Sequence, residues 1–307
     1  MRRPYEVFEV TIRTMQGRFL LKPSEKINDF ILGVIGRALQ LYPGMRIFNF
    51  KVLSNHIHII LAAPNSGTMR KFMNHIDSNI AREAGRLHGW KDKFWSRRYR
   101  AIAIDDDQKL IERMHYIFSH GCKENLVASP YDWPGVGCEK ALTEGQVLQG
   151  TWVDRTAMYE AERKGKDCRL EDFCIEYEVP LSRLPCFEDK PEEYVQAYYR
   201  QMIANIEADT AARLRDEDTR LLGITGVLLQ DPHTWPEKMK KSPAPLCHAS
   251  TRKKREEYKK SYRSFVARFM EAAEKLKQGF IDVCFPEGSF PPPMPAMIVA
   301  TSGAPPG

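Results

Sequence analysis

The chain contains no C-x-x-C pair, no run of 18 apolar residues, no internal repeat and no apolar stretch after Arg2 and Arg3. Its seven cysteines (122, 138, 168, 174, 186, 247 and 284) are odd in number, so neither a disulfide framework nor a zinc ribbon is indicated. A reducing cytoplasm is the expected compartment. Without a long apolar segment or a leader-like N-terminus, neither membrane spanning nor secretion is expected, and no membrane partner is implied. Extreme composition is missing too. Hydrophobic residues at 43% and charged residues at 28% exclude wholesale disorder. The net charge of +6 is only mildly basic, so polyanions are admitted as partners without being required.

What is present divides unevenly along the chain. Residues 5–14 place Tyr5, Val7, Val10 and Ile12 near period two, which predicts an opening strand. After Ser24, an N-cap residue, Ile27, Ile31, Val34, Ile35, Ala38 and Leu41 follow helical spacing until Pro43-Gly44. Two β-rich runs, 46–53 and 56–63, are separated only by Ser54-Asn55, the length of a tight hairpin. Met69, Phe72, Met73, Ile76, Ile80, Ala84 and Leu87 mark a long amphipathic helix ending near Gly89. A short strand over 100–104 leads through Asp105-Asp106-Asp107 into a helix running to about His120.

The order β-α-β-β-α-β-α predicts an α+β fold, a ferredoxin-like split βαβ sandwich with an antiparallel four-stranded sheet. This catalytic-type domain is assigned to residues 1–140. A mainly helical accessory region is assigned to 150–285, with a strand expected within 170–181 and charged helices over 191–216 and 250–278, the latter stopped by Gly279. The Pro-rich tail, 286–307, lacks periodicity and is expected to be extended or disordered.

The sharpest local signal is Asn55-His56-Ile57-His58 on the second arm of the hairpin. Alternation sends His56 and His58 to one face and Ile57 to the other, so the two imidazoles can share one metal ion. The spacing by itself also suits a solvated strand face. The helix after the fourth strand adds evidence. Its apolar stripe is Leu110, Ile111, Met114, Ile117 and Phe118, whereas Tyr116 and His120 fall on the opposite side with Lys109 and Arg113. Three imidazoles, a phenol and flanking cations suit phosphoryl transfer. Tyr116 would be the nucleophile, and His56, His58 and His120 the ligands of a divalent metal.

These residues carry a resemblance. The His56-Ile57-His58 strand in its Asn-His-Ile-His-Ile-Ile context, then Trp95-Ser96-Arg97-Arg98-Tyr99, then Tyr116-Ile117, is similar to the single-tyrosine HUH transposases of the insertion-sequence 200 type. Among them it most resembles the REP-associated tyrosine transposases, whose pattern after the tyrosine is met here by Lys123, Leu126-Val127 and Trp133-Pro134. The resemblance covers about residues 5–140. It implies a ferredoxin-like fold, cleavage and rejoining of single-stranded or hairpin DNA through a 5′-phosphotyrosine link, a divalent ion (Mg or Mn), and action as a monomer or homodimer. The third ligand in that family is often Asn or Gln one turn after the tyrosine. Here His120 stands in that place, and Gly121 replaces the usual proline.

For DNA binding, Trp95 and Tyr99 interleave with Lys93, Arg97, Arg98 and Arg100, pairing stacking surfaces with phosphate neutralisers. The same two aromatics would equally serve as core residues before a strand. Lys109 and Arg113 add cations beside the tyrosine. Cys247-His248, lacking a second pair, reads as structural. Two other classes stay open: an RNA-recognition module, which shares the element order but reads bases with strand aromatics, and a catalytically reduced transposase kept as a DNA-binding regulator.

Overall fold

The computed structural model describes residues 5–236 and 244–292. Strand β1 (Val7–Arg13) is followed by α1 (Glu25–Leu41), whose N-cap Ser24 accepts from the Ile27 backbone N–H. The hairpin forms as β2 (Arg46–Leu53) and β3 (His56–Ala62). Helix α2 (Ser66–His88) is capped by Asn65 and stops at Gly89, which takes φ +64°, a left-handed conformation open to glycine. Then come β4 (Arg100–Ile104) and α3 (Asp107–Phe118), capped by Asp106.

These elements give an α+β fold. The first four strands lie in the order β2-β3-β1-β4, each antiparallel to its neighbour, as the split βαβ order requires. The sheet is nevertheless five-stranded, not four-stranded as expected. β7 (Cys247–His248) adds beside β4 in parallel, and two residues are too few to carry a strand periodicity.

Alternation sorts the strand residues onto two buried faces. Phe8, Val10, Ile12, Phe50, Val52, Ile57, Ile59 and Leu61 form one core with the apolar stripes of α1 and α2. Phe48, Leu53, Ile60, Ala62 and Ile104 form the second with α3. This second core is completed by α6 (Glu192–Asp216) through Val195, Tyr199, Ile203 and Ile206, and by Val227 of α7 (Gly223–Leu229). Each fully buried aliphatic side chain contributes roughly 1.5–3 kcal/mol relative to exposure, so both faces are strongly held.

Between these pieces, α4 (Glu139–Glu144) precedes a two-stranded ribbon of β5 (Gln149–Val153) and β6 (Cys174–Glu178), with α5 (Arg155–Arg163) in the connection. The ribbon crosses α1 at backbone distance. A Cβ on Gly33 would come within 2.2 Å of the Thr151 backbone, so only glycine fits there. The last helix is α8 (Arg252–Lys277), followed by Gly279 at φ +93°. Most of the Pro-rich tail, from residue 293, lies outside the described residues. No helix among the described residues is long and apolar enough to cross a membrane.

Candidate metal centre and tyrosine site

The sheet face that carries the second core turns polar toward one end. Register puts Thr11 opposite His58 and Arg13 opposite His56, while Lys51 and Leu53 oppose the same histidines from β2. Side chains opposite one another share a face, so His56, His58, Glu9, Thr11 and Lys51 all point toward α3. Burying them demands partners.

Those partners are supplied. His56 Nδ1 lies 2.6 Å from Asn55 Oδ1, and His58 Nδ1 lies 3.0 Å from Glu9 Oε1. His120 Nδ1 lies 3.1 Å from Glu124 Oε1. An imidazole N–H donating from Nδ1 leaves Nε2 as the lone-pair atom, so each ring has the tautomer that a metal ligand needs. The rings converge: centroids are 5.0 Å apart for His56 and His58, 5.4 Å for His56 and His120, and 4.5 Å for His58 and His120. Each offers a ligand atom within 4.8 Å of those of the others. His120 Nε2 is buried without a hydrogen-bond partner. An orphaned nitrogen facing two more imidazoles fits a bound cation.

Burial disfavours the charged form of all three imidazoles, pushing each below the ordinary histidine value. For His56 and His120 the charge of neighbouring histidines adds to the effect, whereas for His58 the contact with Glu9 opposes it. Glu9 behaves in the reverse way. Burial disfavours its charge, yet contacts from His248, His58 and Arg113 outweigh that and hold it ionised well below the usual carboxylate range.

Tyr116 stands beside the cluster, its ring 4.6 Å from that of His120 and 5.7 Å from that of His58. The Arg113 guanidinium carbon and Lys123 Nζ lie 3.7 Å and 3.6 Å from the centre of the tyrosine ring. Both cations are paired, Arg113 with Glu9 and Lys123 with Glu124 at 3.7 Å, and their positive ends still border the space where a phosphate beside the ring would sit. α3 itself ends at Phe118, so His120 does not sit within the helix as its spacing predicted. It lies in the turn that follows, where His120 N–H donates to Ile117 O and Gly121 adopts φ +93°. Proline, fixed near φ −65°, cannot make that turn, which accounts for glycine at 121. Glu124 secures it, accepting from Gly121 N–H at 2.7 Å while holding His120. Lys51, wholly buried, pairs with Glu139 at 2.8 Å and donates to Phe118 O at 3.2 Å, tying the C-terminal end of α3 to β2.

The cations and aromatics expected to meet DNA are placed as follows. Arg97, Arg98, Arg100 and Lys93 are exposed. Trp95 and Tyr99 are half-buried against the α1–α2 core, and the Trp95 indole N–H donates to Asp77 O at 2.8 Å. Trp95 also bridges to Thr14 at the end of β1, which brings the 93–100 segment to the His56 end of the sheet. Lys109 is paired with Glu112, and Arg113 is held by Glu9 through Nη2 at 2.7 Å and Nε at 2.6 Å. Sequence reasoning did not single out Glu9, Lys51 or Glu124, and it met Lys123 only as part of the family pattern after the tyrosine. Glu9 alone carried a signal, a carboxylate on a strand whose partner strand bears two histidines.

Residues 24–120 match the family model described as transposase IS200 like. That is the family resembled by the histidine and tyrosine motifs, and the matched span contains His56, His58, Tyr116 and His120. Among solved structures, a REP-associated tyrosine transposase bound to a REP hairpin is 19% identical, covering 47% of this chain and 86% of its own, with a TM-score of 0.39. A candidate transposase from Deinococcus radiodurans R1 is 12% identical, covering 37% and 88%, with a TM-score of 0.28. No curated protein matches the chain.

Proposed function

We propose that this protein is a metal-dependent transposase-type nuclease that cuts and rejoins single-stranded DNA at hairpin elements, with Tyr116 as nucleophile and His56, His58 and His120 as the metal ligands. The observation that carries the reading is the set of three converging buried imidazoles, each set against an oxygen at Nδ1, with Tyr116 against the same cluster. When bound, a divalent ion such as Mg or Mn would supply polarisation of a non-bridging phosphate oxygen. The remaining chemistry belongs to the chain. Tyr116 Oη attacks phosphorus and loses its proton, the phosphorus–O3′ bond breaks, and the departing 3′ oxygen takes up a proton. One phosphodiester is exchanged for another, so a second 3′ hydroxyl can reverse the step without nucleotide hydrolysis.

Arg113 and Lys123 are placed to steady the charge beside the phenol, and exposed Arg97, Arg98 and Arg100 offer phosphate contacts at the adjoining end of the sheet. A regulator that only binds DNA would have no use for three buried imidazoles with an oxygen acceptor behind each, since buried polar groups without function are a cost. The test is SDS-resistant attachment of the protein to a labelled hairpin oligonucleotide with a single-stranded flank, with and without Mn. Tyr116→Phe should abolish attachment while leaving DNA affinity within a few fold. Attachment retained by that variant moves the nucleophile elsewhere.

A further inference from the structure

The segment that carries β7 comes from more than 120 residues beyond the tyrosine helix in sequence, yet it meets the site at two points. Asp105 N–H donates to His248 O at 2.8 Å, and Ser250 donates to Asp106 Oδ2 through its N–H at 2.8 Å and its Oγ at 2.9 Å. The second oxygen of the same carboxylate caps α3 by accepting from Lys109 N–H at 2.9 Å. The other point is deeper. His248 Nε2 lies 3.1 Å from Glu9 Oε2, an ion-pair distance, and neither atom makes a hydrogen bond of good geometry.

Glu9 is 2% exposed and shared by three groups. Oε1 accepts from His58 Nδ1 at 3.0 Å and from Arg113 Nη2 at 2.7 Å, while Oε2 meets Arg113 Nε at 2.6 Å and His248. Arg113 in turn stacks on Tyr116. The plane of this one carboxylate therefore fixes both the ring orientation of a metal-ligating histidine and the cation against the tyrosine. Arg113 spans both oxygens of the carboxylate from one side, and any rocking of that pair about the last torsion of Glu9, a broad one, would carry the His58 acceptor with it. His248, the third group on this carboxylate, bears on Oε2 and opposes that rocking.

We propose that His248 is a positioning residue of the site, acting through Glu9 on His58, so that the metal centre reaches its working geometry only with the β7 segment docked. This rests on reading the three histidines as a metal centre. Acceptors behind a ligating histidine set its orientation and basicity, and their loss typically costs about 10–100-fold in metal affinity or activity. Removing His248, one contact further out, should fall near the lower limit.

The test is Co²⁺ titration of the full-length protein, followed by the visible absorption of the bound ion, with His56→Ala marking the band that belongs to the cluster. His248→Ala should weaken Co²⁺ binding by about tenfold and change the band at saturation. His248→Gln, whose amide can donate to Glu9 Oε2, should restore most of both. A merely structural role would lower the melting temperature of His248→Ala and leave the affinity and band of the folded protein as in the parent, which overturns the inference alone. A parent that shows no Co²⁺ band sensitive to His56→Ala overturns the metal-centre reading and this inference together.

Discussion

The two faces of one sheet solve opposite problems with the same strands. Toward α1 and α2, β1 and β3 present Phe8, Val10, Ile12, Ile57, Ile59 and Leu61, and nothing but shape has to match. Toward α3, the alternate residues of the same strands are Glu9, Thr11, Arg13, His56 and His58, and several of these are as deeply buried as the core. The first face stabilises the fold by removing apolar area from water. The second takes charged and polar groups out of water and must match each with a partner, as it does with Glu9 against Arg113, Lys51 against Glu139 and each imidazole against an oxygen. Such a face is less stabilising than an apolar one would be, so its survival argues for use.

Substitutions on the two faces should therefore separate stability from chemistry. The largest effect is expected from Ile57→Ala, which opens a cavity on the apolar face between two histidines in sequence. It should cost about 2–5 kcal/mol in urea unfolding while leaving metal affinity of the folded fraction unchanged. A large loss of metal affinity with little loss of stability would mean that the faces are not independent. His120→Ala should do the reverse, weakening metal binding and cleavage together by at least about tenfold, the smaller end of what even an outer partner contributes. His120→Asn and His120→Gln should recover part of the activity and favour Mg, the harder ion. Mn titration of cleavage rates across the four proteins decides it, and identical half-saturation in all of them would remove His120 from the ligand set.

Acid should also attack the polar face first. His56, His58 and His120 are held below the ordinary histidine value, so in the metal-free protein the unfolded chain binds protons at a pH where the folded site does not. Stability then rises with pH through that range, and falls as pH drops below about 6.5, by up to about 1.4 kcal/mol per pH unit for each such group. Urea midpoints measured without metal between pH 7.5 and 5 should show the fall, and His120→Asn should reduce its slope. A slope unchanged by that variant would place the titrating groups elsewhere.

Legibility followed locality. The hairpin, the caps at Ser24 and Gly89, and the same-face pairing of His56 with His58 depend on a few neighbouring residues, and the structure has them where spacing puts them. The tyrosine and His120 were brought together by helical phase even though the helix stops two residues short of His120, because the following turn keeps the ring over the same side. What sequence could not supply is set by contacts across the chain. Glu9 is one polar residue among others of the opening strand until Arg113 of α3 and His58 of β3 meet it. His248 reads as part of an isolated Cys-His pair until β7 lays it against Glu9. Arg113 reads as a free cation, yet that carboxylate claims it. Each depends on a partner more than 100 residues away, beyond any periodicity.

The smallest effect belongs to the rim of the polar face, where side chains keep their water. Arg97 and Arg98 are exposed on a segment that Trp95 ties to the end of β1, next to the strand position opposite His56. If each neutralises one phosphate of a single-stranded flank, each replacement by alanine should release one fewer counterion on binding. The slope of log affinity against log salt should then become shallower by roughly 0.7–0.9 unit per arginine, with affinity at moderate salt falling only a few fold. Fluorescence anisotropy of a labelled hairpin oligonucleotide over a series of salt concentrations measures both quantities. The double variant should show the sum of the two slope changes, because exposed charges contacting separate phosphates act independently. Slopes that match the parent would move the DNA path away from the 93–100 segment and toward the other cations of the surface, leaving Tyr116 and the histidine cluster untouched.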